Sequence, residues 1–136
     1  MKRVLFLCTG NSARSQMAEG LLRHLAPDKF EVFSAGVNPT YLNPLSVKAM
    51  EEVGIDISNQ RSKSIDEFLG QSFDYVITLC DSAKQSCPIF PGEYKKIHWD
   101  LEDPAQAKGT EEEKINMFRK IRDQIKEHIL VFYIEN

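Results

Sequence analysis

The sequence predicts an α/β fold, a single doubly wound domain of residues 1–136 with a four-stranded parallel sheet and helices on both faces. The first observation is that short apolar runs alternate with helical patterns along the chain. The second is that these runs are continuously apolar, as strands covered on both faces are. The third is the length of 136 residues, which suits one hydrophobic core.

The first half of the chain contains two predicted strand–helix pairs. In order, they are a strand at 3–8, a helix at 15–25, a strand at 30–33 and a helix at 43–54. Pro27 follows the first helix, where the chain must leave helical geometry. Asn43 is suited to cap the second helix, Pro44 to occupy its first turn and Gly54 to end it.

The second half adds two more strands and the clearest helix. In order, it predicts a short helix from Ser64 to Gly70, strands at 73–80 and 95–99, and a final helix from Thr110. Ser64 with Glu67, and Thr110 with Glu113, have the spacing of capping boxes. Apolar residues recur every three or four positions in the final helix and predict one buried stripe. The stripe consists of Ile115, Phe118, Ile121, Ile125, Ile129 and Phe132.

Charge and composition exclude several classes of protein. A net charge of −3 gives no general attraction for phosphate backbones, so nucleic acid is not expected as a partner. The apolar run after Arg3 ends after about five residues, too few for a signal peptide, and no run reaches the roughly 18 of a membrane span. Three cysteines, an odd number, are expected to be free thiols in a reducing cytoplasm. We expect a cytoplasmic monomer without cofactor, metal ion or membrane partner.

A short loop between the first strand and the first helix is suited to bind an oxyanion. We call residues 9–14 the anion loop: Thr9, Gly10, Asn11, Ser12, Ala13 and Arg14. Small residues let successive backbone N–H groups converge, and the helix N-terminus adds positive potential. Asn11 tolerates a left-handed backbone conformation, which helps the turn to close. The loop lacks the Gly-Lys-Ser/Thr ending of a nucleotide-binding P-loop.

The residues on either side of this loop predict nucleophilic chemistry. Cys8 ends the strand below the loop, where the positive potential favours its thiolate form. Ser15 can donate a hydrogen bond to that thiolate. The planar fork of Arg14 can bind two oxygens of a tetrahedral anion. Cys80 ends the predicted strand at 73–80, so it is expected at the same edge of the sheet as Cys8.

Cys, five residues, then Arg-Ser, with Asp103-Pro104 late in the chain, resembles the low-molecular-weight protein tyrosine phosphatases, whose fold is called phosphotyrosine phosphatase I-like. The stretch CTGNSARSQMAEG is similar to the thioredoxin-coupled arsenate reductases built on that fold. So are SAG at 34–36, VGIDISNQ at 53–60, VITLC at 76–80 and CP at 87–88. The resemblance covers nearly the whole chain.

This resemblance implies a three-thiol relay that reduces arsenate, with phosphate or sulfate as competing anions. It implies that Cys8 attacks arsenate, Asp103 helps water to leave, Cys80 attacks Cys8, and Cys87 then attacks Cys80. Thioredoxin would reduce the final disulfide. Positions 80 and 87 would lie about 10 Å apart along a straight helix, whereas bridged Cα atoms lie about 4.4 to 6.8 Å apart. Residues 81–87 are therefore predicted to rearrange.

Several alternatives stay open from the sequence. Cys80 is suited to plain core packing, Cys87 to an incidental place in a polar loop, and Asp103 to capping a turn before Pro104. Cys80 and Cys87 with His98 would make an incomplete zinc site. The protein could also be a low-molecular-weight phosphatase, although Pro is usual in that group where Gln16 stands, and Tyr where Ala105 stands. It could equally bind oxyanions or sense redox state without turnover.

One departure concerns a cation site. Some of these relatives bind potassium near the loop through positions that match Asn11, Glu19, Arg61 and Lys63. The cationic residues at 61 and 63 are unsuited to such a site. We therefore expect Lys63 to supply the positive charge directly, without a potassium requirement.

Overall fold

The computed structural model describes all 136 residues. The four strands are β1 Lys2–Cys8, β2 Phe30–Gly36, β3 Tyr75–Thr78 and β4 Lys95–His98. The four α-helices are α1 Arg14–Leu25, α2 Pro44–Glu51, α3 Asp81–Gln85 and α4 Glu111–Glu135. Two short 3₁₀ helices span Ile65–Phe68 and Pro104–Gln106.

The strands form one parallel sheet in the order β2-β1-β3-β4, which confirms the predicted fold class. β1 lies in the centre of the sheet, and its register pairs Cys8 with Gly36 of β2 and Leu7 with Thr78 of β3. The carboxyl ends of the two central strands therefore meet at one edge. In sheets of this kind, that edge is where ligands bind.

The core lies on both faces of this sheet. β1 is buried from Val4 to Cys8, as its continuous apolar run predicts. The predicted stripe of α4 is confirmed, since all six of its residues are buried. The capping box of Thr110 and Glu113 is also present at the start of this helix. None of the helices combines the length and apolar character that crossing a membrane requires.

β3 is shorter than predicted, and Cys80 is not part of it. The strand ends at Thr78, although the N–H of Leu79 still donates to the carbonyl of Leu7. Cys80 is instead the N-cap of α3, because its sulfur accepts a hydrogen bond from the N–H of Ala83. The two polar residues after Cys80, Asp81 and Ser82, favour a helix start over a longer strand.

The predicted capping box at Ser64 forms only in part. The Ser64 side chain accepts a hydrogen bond from the N–H of Asp66, but the Glu67 carboxylate pairs with the Arg61 guanidinium instead of returning to the cap. The element that follows is a 3₁₀ helix of four residues. The ion pair with Arg61 thus replaces the second half of the box.

Candidate active site

The anion loop is held open by a segment that binds its carbonyl groups from outside. The N–H groups of Val37, Asn38, Thr40 and Asn43 donate to four carbonyl oxygens of the region, at 2.8–3.1 Å. The acceptors are the carbonyl oxygens of Cys8, Thr9, Gly10 and Ser12. Because a peptide's C=O and N–H point in opposite directions, this arrangement turns the loop's N–H groups inward.

The inward N–H groups have no acceptor within the protein. None of those from Gly10 to Ala13 donates to a backbone or side-chain group of the chain. Asn11 has a φ of 47°, which confirms the predicted left-handed conformation. The loop lines a cavity of about 230 Å³ together with Cys8 and Arg14. Such a ring of unpaired donors at a helix N-terminus binds a tetrahedral anion.

Asn11 is the hub that fixes the loop from below. Its amide nitrogen donates to the hydroxyl oxygens of Ser15 at 2.7 Å and Ser34 at 3.0 Å. Its amide oxygen accepts from the N–H of Lys63 at 2.8 Å and from the Gln16 side chain at 2.9 Å. The residue is fully buried. Sequence reasoning found its backbone role but missed this side-chain role, which no local pattern signals.

The Cys8 sulfur lies at the floor of the cavity, beside a directed hydroxyl. Ser15 Oγ is 2.8 Å from Cys8 Sγ. Because Ser15 Oγ accepts from Asn11, its own proton is free to bind the sulfur. Hydrogen bonding of this kind stabilises a thiolate.

Arg14 and Asp103 form the rim of the same cavity. Arg14 is buried, donates to the Leu101 carbonyl at 3.1 Å and lies 3.7 Å from an Asp103 carboxylate oxygen. The other carboxylate oxygen of Asp103 accepts from the N–H of Ala105 at 3.0 Å. Asp103 therefore caps the 3₁₀ helix that begins at Pro104 and also faces the cavity.

Cys80 lies against the anion loop. Its sulfur is 3.3 Å from the hydroxyl oxygen of Thr9, the residue that follows Cys8, and it is buried. The adjacency of β1 and β3 produces this contact, since both chain segments leave the sheet at the same edge. The second thiol therefore lies directly beside the anion loop that follows Cys8.

Cys87 is half-buried at the far end of α3, and all three cysteines are free thiols. Burial raises the pKa of the Cys87 thiol, which a positive charge at Lys96 only partly offsets. Five of the six residues from 81 to 86 are exposed, and Ala83 alone is buried. The short segment that carries Cys87 is thus weakly attached to the core.

The Lys63 ammonium occupies the place of a cation beside buried Glu19. Lys63 Nζ lies 3.7 Å from Glu19 Oε1, 3.4 Å from Ser34 Oγ and 2.8 Å from the Arg61 carbonyl oxygen. Burial lowers the pKa of Lys63, while the Glu19 carboxylate acts in the opposite direction. The Arg61 side chain points to solvent, where it pairs with Glu67. These residues do not fit a resident potassium ion, because an ammonium already lies among the oxygens.

The zinc alternative gains no support from the structure. His98 lies near Asp81 and Asp100, and no cluster of three metal-ligating side chains includes a cysteine. Its Nδ1 is 2.7 Å from the Thr78 hydroxyl, and its Nε2 is 3.5 Å from Asp81 Oδ1. Both ring nitrogens of His98 therefore face Thr78 and Asp81, and not the cysteines that the zinc alternative requires.

Sequence reasoning also missed the outer wall of the cavity. Asn38, Thr40 and Tyr41 line it, and they come from the loop after β2. Gly36 is the last residue of β2, directly before this loop, and a Cβ there would come within 2.7 Å of the Thr9 carbonyl oxygen and 2.8 Å of the Asn11 nitrogen. The SAG stretch at 34–36 was the only signal for this close approach.

Comparison with known proteins agrees with this fold. The family profile described as low molecular weight phosphotyrosine protein phosphatase matches residues 3–133. The chain belongs to this family.

Within it, the curated relatives at about 50% identity are arsenate reductases, which confirms the narrower resemblance, while one similar solved structure is a low-molecular-weight protein tyrosine phosphatase of T. tengcongensis, 27% identical with a TM-score of 0.82 over 100% of both chains. An arsenate reductase of Bacillus subtilis (strain 168) is 52% identical over 91% of this chain and 89% of its own length. A solved arsenate reductase in the phosphate-binding state is 37% identical with a TM-score of 0.81, over 99% of this chain and 98% of that one. A thioredoxin-dependent arsenate reductase of Corynebacterium glutamicum is 30% identical with a TM-score of 0.72, over 100% of this chain and 64% of that one.

Proposed function

We propose that this protein is an enzyme that reduces arsenate to arsenite with three cysteines and is regenerated by thioredoxin. The observation that carries the proposal is the contact between Cys80 and Thr9, which brings a second thiol to the loop that cradles the anion. A phosphatase needs one nucleophilic cysteine, an arginine and a general acid. It has no use for a second thiol at this place.

The first step uses the floor and rim of the cavity. The Cys8 thiolate attacks the arsenic atom, an As–S bond forms, and an arsenate oxygen leaves as water with a proton from Asp103. The inward N–H groups and Arg14 hold the remaining oxygens throughout. The side chain of Ser15 stabilises the thiolate before attack and again when Cys8 later becomes a leaving group.

The second step transfers the electrons. Cys80 attacks the Cys8 sulfur, an S–S bond forms, and the electron pair of the As–S bond stays on arsenic, which departs as arsenite. Cys87 then attacks the Cys80 sulfur and releases the Cys8 thiolate. Two electrons have left the protein, and the oxidation is stored as a Cys80–Cys87 disulfide.

The third step requires movement of the segment 81–87. Its helix α3 spans Asp81–Gln85, and Cys80 and Cys87 stand at opposite ends of it. A straight helix would separate them by about 10 Å, so the disulfide requires the helix to unwind. Burial raises the pKa of the Cys87 thiol, and this movement would remove that burial. Because the residues of this segment are mostly polar and exposed, unwinding of the helix breaks few apolar contacts.

Arsenite release in the presence of a thioredoxin system tests the relay, with Cys80→Ser and Cys87→Ser as separate variants. We expect Cys80→Ser to release no arsenite. We expect Cys87→Ser to release one equivalent per protein and then stop with Cys8 disulfide-bonded to Cys80. Release of many equivalents by either variant would contradict the relay.

Hydrolysis of an aryl phosphate by the same variants is the matched control. Both should retain the hydrolysis rate of the parent, because the anion loop, Cys8 and Arg14 are unchanged. Cys8→Ser should lose both activities. Equal loss of both activities in Cys80→Ser would favour a phosphatase in which Cys80 has a packing role. Anion binding without either product would favour a sensor.

The remaining parts of the proposal concern partners and location. Phosphate and sulfate are expected to compete with arsenate, since the cradle selects tetrahedral geometry and charge. We expect a cytoplasmic location, because free thiols persist in a reducing compartment. We expect a monomer, because one chain contains all three cysteines of the relay.

A further inference from the structure

Ile89 is the most exposed of the large apolar side chains, at 91%. It lies in the loop between α3 and β4, two residues after Cys87. Its neighbour Phe90 is buried, with 1% exposure. The loop therefore turns one apolar side chain into the core and the adjacent one into solvent.

Phe90 fixes this loop to the protein. Its ring packs edge-on against Phe73, with centroids 5.3 Å apart, and also contacts Tyr94. The N–H of Phe90 donates to the Tyr94 hydroxyl at 3.1 Å. Pro88 and Pro91 restrict the backbone on either side. The rigid loop consequently holds the Ile89 side chain in solvent, although an apolar side chain of this size is more stable when it is buried.

This support lies next to the segment that rearranges. Residues 81–86 have one buried side chain among them, whereas the loop that follows is fastened by Phe90. When α3 unwinds to form the Cys80–Cys87 disulfide, Ile89 keeps its place. Ile89 is thus a fixed apolar side chain two residues after Cys87, which carries one sulfur of the disulfide. Two residues span at most about 7 Å of chain.

We infer that Ile89 is the apolar anchor that thioredoxin contacts when it reduces the Cys80–Cys87 disulfide; this rests on the proposed function. A protein dithiol must hold its nucleophilic sulfur in line with the S–S bond. The polar residues 81–86 offer little apolar surface for such a complex. Central apolar anchors supply much of the binding energy in small interfaces.

The exchange itself balances within the two proteins. A thioredoxin thiolate attacks one sulfur of the disulfide and forms a mixed disulfide, and the other sulfur leaves as a thiolate. The second thioredoxin thiol then attacks its partner sulfur and frees the protein. Two electrons and two protons pass to Cys80 and Cys87, and thioredoxin becomes the disulfide. Ile89 takes no part in these bonds and acts only on the encounter.

Ile89→Ser tests the inference, with Ile134→Ser as the matched control. Ile134 is 80% exposed near the end of α4 and lies outside the redox segment. Arsenite production is measured with thioredoxin at several concentrations and separately with dithiothreitol, a small dithiol that needs no protein surface. For Ile89→Ser we expect kcat/KM for thioredoxin to fall about tenfold, while the dithiothreitol-driven rate stays within about twofold. Ile134→Ser should match the parent with both reductants, and Ile89→Leu should restore most of the loss.

An unchanged kcat/KM for thioredoxin in Ile89→Ser would overturn the inference. An equal fall with both reductants would also overturn it, because the side chain would then affect the relay and not the encounter. Failure of the parent to form arsenite with either reductant would overturn the proposed function itself. A parent active with dithiothreitol alone would refute only the thioredoxin partner and its anchor.

Discussion

Replacing Lys63 with methionine tests whether the ammonium is an internal substitute for a bound cation. The change keeps most of the side chain's bulk and removes its charge. Glu19, whose side chain is 6% exposed, would keep Arg23 as its one cationic partner, at 2.7 Å but 48% exposed. The Ser34 hydroxyl, which donates to Glu19, would lose its contact with the ammonium.

The expected loss in stability follows from the geometry of the pair. Two unit charges about 4 Å apart attract by about 4 kcal/mol at an effective dielectric constant of about 20. The lowered pKa of Lys63 shows that its desolvation opposes this attraction, and Arg23 compensates part of the loss. We therefore expect a loss of about 2 kcal/mol, below the roughly 3 to 5 of an uncompensated buried charge. With an unfolding entropy of about 2.1 cal/mol/K per residue, this lowers Tm by about 7 °C.

Calorimetry of Lys63→Met beside Arg61→Met provides the assay. Arg61 is two residues away and has the same charge, but its side chain pairs with Glu67 in solvent, so its loss should lower Tm by under about 3 °C. The parent should have equal kcat/KM in potassium and sodium buffers. Lys63→Ser, which opens space among the oxygens, should regain stability in potassium over sodium. A parent that potassium markedly activates, or equal Tm values for both Met variants, would refute the reasoning.

Three further predictions concern the cavity and the surface. Gly36→Ala should lower the free energy of unfolding by about 2 kcal/mol and weaken phosphate binding in calorimetry, because its Cβ meets the Thr9 carbonyl oxygen at 2.7 Å; unchanged affinity would disprove this. Ser15→Ala should slow alkylation of Cys8 by iodoacetamide at pH 7 several-fold; an equal or faster rate would show that the hydroxyl does not stabilise the thiolate. Arg119 holds the pKa of Glu52 down to about 2, so this carboxylate stabilises the fold above its unfolded pKa and loses that effect as pH falls through about 4 to 2. Acid titrations of Glu52→Gln should lack this component, and parallel curves for parent and variant would contradict it.

The strands, α4 and the anion loop were predictable because their signals are local. Continuous apolar runs mark strands covered on both faces, and the stripe of α4 repeats with the helical period. The spacing of Cys8 and Arg14 around small residues likewise depends on one strand–turn–helix unit. Each of these inferences needs only neighbours within one element.

Contacts between distant segments could not be predicted from the sequence. The four side-chain hydrogen bonds of Asn11 involve residues from three parts of the chain, and no local pattern near position 11 predicts them. The Ser64 box failed for a local reason instead, since the nearby Arg61 competes for the Glu67 carboxylate. The end of β3 was misplaced because VITLC ends in two apolar residues, Leu79 and Cys80, whereas the sulfur of Cys80 acts as a helix cap.

In the proposed relay, the neighbouring positions of β1 and β3 give the two thiol exchanges different requirements. The two strands are paired and the Cys80 sulfur contacts the Thr9 hydroxyl next to Cys8, so we expect the first exchange to need only a local movement. The later exchange must wait for a helix to come apart. If the proposed relay operates, every molecule would convert one oxyanion even when cellular reductant has run out, and a large pool of the protein would act as a stoichiometric buffer during a sudden exposure.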